Sequence, residues 1–493
     1  MVKRSSSIHR VVLGGIFLSV GSAMAGPVYQ PPGVNLVYGD VTHGQRIQSA
    51  SSNPAAAAAD IARGKEKGTR GTVLSVAAGL EYGNIQELFD FYDELVNGYV
   101  PSPPPDTPDG PVNLPEDGGI DLGDIWDSLD PDVQETIEAV ATEVAVQTAL
   151  LALVSKEGHA KAWIAGDAPF VLGGEHLGGT WTYGVNWSGT SKALGLSENI
   201  DFDKDAARDA LQDWLDKLPG LPTGLPVPAR LSEDTLLSIG PETNAVHLFL
   251  DTDASMLSKA TQTTEFNVGY SREAFSNSAG SLYFGAEARL YFMRLSRLSV
   301  RFGDVTDSED VFDAIRDSNF RNDEDVGVDI GALWVGRNYQ LGAQITNVNE
   351  PTFVFPEVDL EPYRNDSIIG RLQSDQRYKM DRQLKLEASI FSNDRRWSAH
   401  LGLDADPATD PMGDKYQWAT ASAAFTTDSW WLPSARFGYR ENLAGTRMKY
   451  LGVGVTAFKI LNIDIASAMD TVKIEGKKLP QGLMASIGFQ LTW

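Results

Sequence analysis

The chain of 493 residues carries 41 Lys and Arg against 66 Asp and Glu, a formal charge of -25, so its surface repels phosphate and sequence-independent nucleic-acid binding is excluded. At 42% hydrophobic and 9% aromatic residues it has enough apolar surface to fold, which excludes disorder throughout. The absence of cysteine removes disulfide frameworks, thiol nucleophiles and zinc–thiolate sites together.

At the N-terminus Lys3, Arg4 and Arg10 flank an apolar stretch from Val11 to Val20 that ends near Ala23 and Ala25. This pattern predicts a secretory signal peptide over residues 1–25, with the mature chain starting at Gly26. Residues 26–70 are poor in strand patterning and contain Asn53-Pro54-Ala55. Asn-Pro starts turns, so the residues alone read as a turn.

From residue 71 onward ten-residue segments recur in which every second residue is apolar, as in strands with one greasy face. The strands expected are 71–82, 159–170, 177–189, 243–252, 262–273, 281–292, 294–302, 326–336, 338–347, 379–392, 397–406, 415–427, 434–442, 448–458, 460–469 and 484–493. The most regular lie near the end. Leu451, Val453 and Val455 alternate with Gly452 and Gly454, and Ala485, Ile487, Phe489, Leu491 and Trp493 share one face.

The second face is rich in glycine and carries the charge. A soluble sandwich would show water a face of Lys, Glu and Thr, whereas small residues on the concave side of a closing sheet fit a membrane barrel. Every long connection, at 83–158, 190–242, 303–325, 348–378 and 470–483, follows an odd-numbered strand. Such sorting of loop lengths is expected of outer-membrane barrels, which have short periplasmic turns and longer external loops. The fold class read from the chain is therefore all-β, a transmembrane antiparallel β-barrel of about 14 to 16 strands over residues 71–493, with helical insertions in extracellular loops. The insertions are 83–158 and 190–242. The first holds seven prolines between residues 101 and 115 and a helix expected over 131–155; the second holds a helix expected over 203–218. Two uses of these helices stay open, a ligand-collecting patch or a cap.

A search for chemistry finds no His-Glu-x-x-His, G-x-S-x-G or phosphate-cradling glycine loop. No catalytic residue, cofactor or metal is expected. The acidic run Asp201-x-Asp203-x-Asp205 lacks the glycine and the final glutamate of a calcium loop. The inward faces pair Glu287 with Arg289 and Lys385 with Glu387, and add His400, Asp404, Arg436, Arg440 and Asp464. Buried charges need partners, so these read first as salt bridges or plug contacts and second as a polar pathway. The expected partners are outer-membrane lipid and the barrel assembly machinery, which would read Phe489, Leu491 and Trp493 at the C-terminus.

At Asn53, Pro54 and Ala55 the chain resembles the FadL-like outer-membrane barrels, whose N-terminal hatch carries an Asn-Pro-Ala motif. The runs Val41 to Ala59, Leu282 to Arg301 and Asp329 to Asn347 resemble more closely the TraF-type family named for conjugal transfer. The first resemblance implies that residues 26–70 form an N-terminal hatch, the alternative being a plain surface turn at Asn53-Pro54, and it implies passage or capture of small hydrophobic molecules across the outer membrane of a Gram-negative bacterium. The second implies an alternative, a structural envelope component that works with the proteins of a transfer or secretion machine.

Overall fold

A computed structural model describes residues 32–43, 47, 49–63, 71–83, 159–196, 227–232, 235–242, 245–251, 253, 255–301, 319–474 and 477–492. Fourteen antiparallel strands close into one barrel. They are β1 Gly71–Gly83, β2 His159–His176, β3 Gly179–Leu196, β4 Ser255–Asn277, β5 Gly280–Arg301, β6 Phe320–Val335, β7 Tyr339–Thr346, β8 Gln383–Phe391, β9 Trp397–Asp404, β10 Trp418–Phe425, β11 Ser434–Asn442, β12 Lys449–Ala457, β13 Leu461–Ala468 and β14 Gly482–Thr492. The seam between β1 and β14 is paired from Gly71 opposite Thr492 to Glu81 opposite Gly482. Closure leaves no open sheet edge, the condition for backbone to cross hydrocarbon.

The period-2 pattern sorts residues between lipid and lumen. On β12, Leu451, Val453 and Val455 are exposed while Tyr450, Gly452, Gly454 and Thr456 face inward. Phe284, Ile330, Leu341, Phe437, Ile463, Ile487, Phe489 and Leu491 continue the exposed apolar belt around the wall. A strip of this kind in water would drive aggregation; in a bilayer it is solvated by acyl chains. Trp493 lies outside the described residues.

The sixteen expected strands become fourteen through one merger and one exclusion. Residues 281–292 and 294–302 are one strand, β5, which runs through Met293 without a break. Its 22 residues extend roughly 70 Å at ~3.3 Å per residue, well beyond an apolar band ~25 Å tall. Past the band the outward face is free to turn polar at Arg294, and this change mimics a strand end. The segment 243–252 contains the short strand Ala245–Asp251, which joins Val227–Ser232 and Thr235–Glu242 in a separate three-stranded sheet between β3 and β4. Strand β3 pairs directly with β4.

Loop parity survives both changes. Connections after even strands have between two and eight residues, from 177–178 to 426–433, and the longest connections all follow odd strands. The expected helices over 131–155 and 203–218, the proline-rich stretch and the acidic run near Asp203 lie outside the described residues. The described long-connection helix is α4, Asp366–Ser374, between β7 and β8, numbered after three short N-terminal helices taken up below. Asn365 caps it by accepting from the Ser367 and Ile368 amides at 2.9 and 3.3 Å. Ile368 and Leu372 pack on Leu196, Leu257 and Tyr363 at the upper rim. Phe353, Phe355, Tyr378 and Met380 of the same connection pack on Tyr291, Met293 and Leu295 of β5. This connection therefore folds back over the mouth rather than standing away from it.

Two predictions arise from the fold. Val453 is 57% exposed at the middle of an outward row, so Val453→Arg should cost about 2–4 kcal/mol where the wall meets mid-bilayer. The folded, heat-modifiable band on unboiled gels should weaken, while Gly452→Ala on the lumen side should not have this lipid penalty. The second concerns Asp253, whose Oδ2 accepts from the Arg364 and Asn365 amides at 2.6 Å each and whose Oδ1 accepts from Arg301 at 2.9 Å. Burial pushes this carboxyl up, but the two amides and Arg301 outweigh it and hold it below its ordinary range. A depressed folded-state pKa means that the clamp stabilises the loop above the usual carboxylate range and is lost as pH falls through the folded value. Pepsin should therefore cut near residue 364 faster at about pH 2 than at about pH 4, and Asp253→Asn should flatten that difference.

Candidate functional site

The N-terminal segment lies inside the barrel and meets the wall through small and polar residues. Its entry is marked by the Gly33 amide, which donates to Ser486 Oγ at 2.8 Å. Helix α1, Asn35–Tyr38, then runs along β10 to β13 and ends at Gly39, whose φ of 87° is the left-handed cap geometry that glycine takes without strain. The approach is close because Gly438 and Gly452 stand opposite each other on β11 and β12. A Cβ on Gly438 would sit 2.1 Å from the Val37 carbonyl oxygen. Ser422 donates to the Tyr38 carbonyl at 3.2 Å, and the Tyr38 ring stacks on His43 at 4.5 Å.

Beyond α1 the segment is held by charge. Asp40 pairs with Lys385 at 2.8 Å. Glu387 accepts from the Thr42 amide, from Thr42 Oγ1 at 2.6 Å and from Asn53 Nδ2 at 3.1 Å. The Thr42 carbonyl in turn accepts from Gln340 at 2.7 Å and Ser389 at 3.2 Å. These bonds attach the segment to β7 and β8.

The Asn53-Pro54-Ala55 turn follows helix α2, Ser49–Ser52, and leads into α3, Ala56–Arg63. Asn53 is 1% exposed. Its Oδ1 accepts from the Ala55 amide at 2.9 Å, a local turn bond, while its amide nitrogen reaches Glu387. Pro54 fixes its own φ and restricts Asn53, which stiffens the turn. The seat is again a glycine pair, Gly285 opposite Gly331 on β5 and β6. A Cβ on Gly285 would lie 2.2 Å from the Pro54 oxygen, and one on Gly331 would lie 2.2 Å from Asn53 Oδ1. Beyond the turn, Ala55, Ala56, Ala58 and Ala59 pack on Tyr283 and Leu333, side chains small enough to bring α3 against the strands. The Ala58 amide donates to Ser271 at 3.0 Å.

All nine charged or imidazole residues picked from the sequence sit on the inner face. Arg289 pairs with Glu287 at 2.9 Å, and also with Asp329 at 2.8 Å and Glu265 at 3.2 Å. Arg436 and Asp464 form a two-pronged pair at 2.5 Å, next to Thr456. Lys385 and Glu387 do not pair with each other, contrary to the expectation; each bonds the N-terminal segment instead, because the segment brings Asp40 and the Thr42 and Asn53 donors between them. Arg440 lies over the Trp418 ring at 4.2 Å, Asp404 accepts from the Trp418 amide at 2.9 Å, and His400 sits between Ser389 and Ser398 at 2.8 and 2.9 Å.

Sequence reading missed Asp40, Glu265 and Asp329, and also Lys161, which bonds Asp410, Asp414 and Tyr416 of the β9–β10 connection. Inward alternation would have found Glu265 and Asp329. The loop partners carry no periodic signal. Among the described residues no group of three His, Asp or Glu is placed to hold a metal ion.

Between the segment and the wall lies a cavity of about 200 Å3. Asp40, Ser52 and Asn53 form its side toward the segment; Tyr291 and Trp418 contribute aromatic side chains, and Glu265, Arg289 and Lys385 contribute charge. The space is below the ~300–1,000 Å3 of drug-sized pockets, so it suits a small molecule.

The glycine seat makes a test of how the turn is held. Gly331→Val should push the Asn53 turn off its seat while leaving the barrel closed. The chain has no cysteine, so Ser49→Cys, at a buried position, introduces a single thiol. A maleimide should label that thiol faster in the Gly331→Val background, with the heat shift of the folded barrel unchanged; equal labelling would mean that the turn does not depend on its seat.

In sequence, no curated protein matches this chain. Among solved structures it is similar to the toluene transporter TbuX of Ralstonia pickettii, with 10% identity, a TM-score of 0.36 and coverage of 89% of this chain and 94% of that one. It is likewise similar to the toluene transporter TodX of Pseudomonas putida, with 11% identity, a TM-score of 0.35 and coverage of 92% and 96%. A FadL homologue of Pseudomonas aeruginosa gives 11% identity, a TM-score of 0.32 and coverage of 96% and 99%. The family model described as "F plasmid transfer operon, TraF, protein" matches residues 50–406, a span that runs from the N-terminal segment through β9, and the chain belongs to that family.

Proposed function

We propose that this protein is a passage for small molecules with apolar character across the outer membrane of a Gram-negative bacterium, with residues 26–70 acting as a hatch. The observation that carries this reading is the N-terminal segment held inside a closed membrane barrel, beside a cavity lined in part by Tyr291 and Trp418. A purely structural barrel has no need of a removable filling. The anchors support a hatch that shifts: the Asp40–Lys385 pair and the Glu387 bonds are polar and exchangeable with water, whereas the Asn53-Pro54 turn is stiff and seated on glycine. Breaking the first set would swing the segment about the second. Export by the signal peptide over 1–25, with the short turns facing the periplasm, completes the proposed placement.

A second reading is favoured by the family match. The printed description of that family names a plasmid transfer operon, which suits a structural part of a transfer machine in the envelope.

The experiment that separates them uses a strain without the gene, complemented with wild type or with Lys385→Ala combined with Glu387→Ala. Uptake of an apolar fluorescent probe should rise with wild type and rise several-fold further with the loosened variant, which should keep its heat-modifiable band. Uptake equal to that of the deletion strain in both, with mating efficiency restored only by complementation, would overturn passage and leave the transfer role.

A further inference from the structure

We infer that the lumen cavity selects small aromatic or aliphatic molecules that carry an ammonium group, rather than plain hydrocarbons. The inference rests on the passage reading and names the class of its cargo.

Most charges around the cavity have ion-pair partners; Arg440 makes no ion pair among the described residues and bonds the Leu36 carbonyl at 3.4 Å, over the Trp418 ring. Arg289 is surrounded by Glu265, Glu287 and Asp329, and Lys385 is held by Asp40. Asp167, on β2, is different. It lines the same cavity, is only 5% exposed, and forms no ion pair among the described residues. Ser75 bonds its carboxyl, yet Oδ1 has no hydrogen-bond partner there. Two more acceptor oxygens on the cavity wall share this condition, Asn35 Oδ1 on α1 and Gln344 Oε1 on β7, at residues 2% and 5% exposed.

A buried carboxylate without a cation and buried carbonyl oxygens without donors are each costly. They become favourable together when one guest brings a positive charge and several N–H donors. An ammonium group at Asp167 does both, whereas a carboxylate guest there would add repulsion and a hydrocarbon would leave these acceptors unpaired.

The test uses the full chain in detergent and three probes of one shape, benzylammonium, benzyl alcohol and benzoate, measured by calorimetry. Wild type should bind benzylammonium at least about tenfold more tightly than the other two, as a charge-assisted pair predicts. Asp167→Asn with an intact heat shift should lose that preference, and Asp167→Glu should keep part of it. Equal binding of the three probes, or an unchanged preference in Asp167→Asn, overturns the inference. If Asp167→Asn does not fold, wild type in about 1 M salt decides: a buried pair keeps its preference there, whereas attraction to the acidic surface is screened away. Flux of the same probes into liposomes separates the two levels. Benzyl alcohol crossing faster than through protein-free liposomes, without a charge preference, leaves passage standing and this inference refuted. If no probe crosses faster than through protein-free liposomes, passage is refuted, and the calorimetric preference alone decides the site.

Discussion

Hydrocarbon offers backbone N–H and C=O groups no partner, and closure of the β1–β14 seam is the one arrangement of this sheet that satisfies all of them. Everything else depends on that ring. Once the sheet closes, side-chain alternation is no longer a choice between core and water but between lipid and lumen. The outward row takes Leu, Val, Ile and Phe because acyl chains solvate them. The inward row then has to fill a space that no second sheet covers, and it does so with a piece of the chain's own N-terminus.

That filling explains the unusual content of the inner face. Glycines appear there in facing pairs, Gly285 with Gly331 and Gly438 with Gly452, where backbone of the N-terminal segment presses against the wall. Between these two flat seats the wall offers the opposite chemistry, long charged side chains on β8 that reach out to Asp40, Thr42 and Asn53. Glycine in a strand weakens it, so the cost of the seats falls on the wall, and neighbouring strands of a closed ring share it. A Cβ at Gly285, Gly331 or Gly438 would be cheaper for the strand but would collide with the segment at 2.1 to 2.2 Å, and one at Gly452 would press on Val37 at 3.2 Å.

The outward half of this design was legible in the residues. Strands such as β12 and β14 show it without ambiguity, because lipid imposes a strict apolar requirement at every second position. Legibility failed where lipid stops imposing it. Strand β5 looked like two strands because its outward face turns polar at Arg294, above the apolar band, and Ala245–Asp251 looked like a wall strand because a small sheet in a connection alternates in the same way. The lumen charges could be picked out by their position on the inner face, but not their partners. Lys385 and Glu387 are two apart on one face, which suggests a pair, yet their partners lie some 345 positions earlier in the chain. Nothing periodic encodes that distance. The glycine seats were visible only as richness in glycine, since a seat is defined by what approaches it.

The division of contacts also bears on how the lumen can change without the barrel changing. Contacts made through glycine and alanine depend on shape alone: they lose little on a small rotation but cannot be replaced by water. Contacts made through Asp40, Lys385 and Glu387 are directional, and water replaces each of them at modest net cost once it reaches the site. Water entering the cavity therefore competes with only one of the two sets. A segment seated by shape at the Asn53-Pro54 turn, with one further bond from Asn53 to Glu387, and held by exchangeable bonds at Asp40 and Thr42 has a built-in pivot, and the cavity borders both the turn and those bonds. The same closed ring that makes the wall rigid thus confines motion to the element that is not part of the ring.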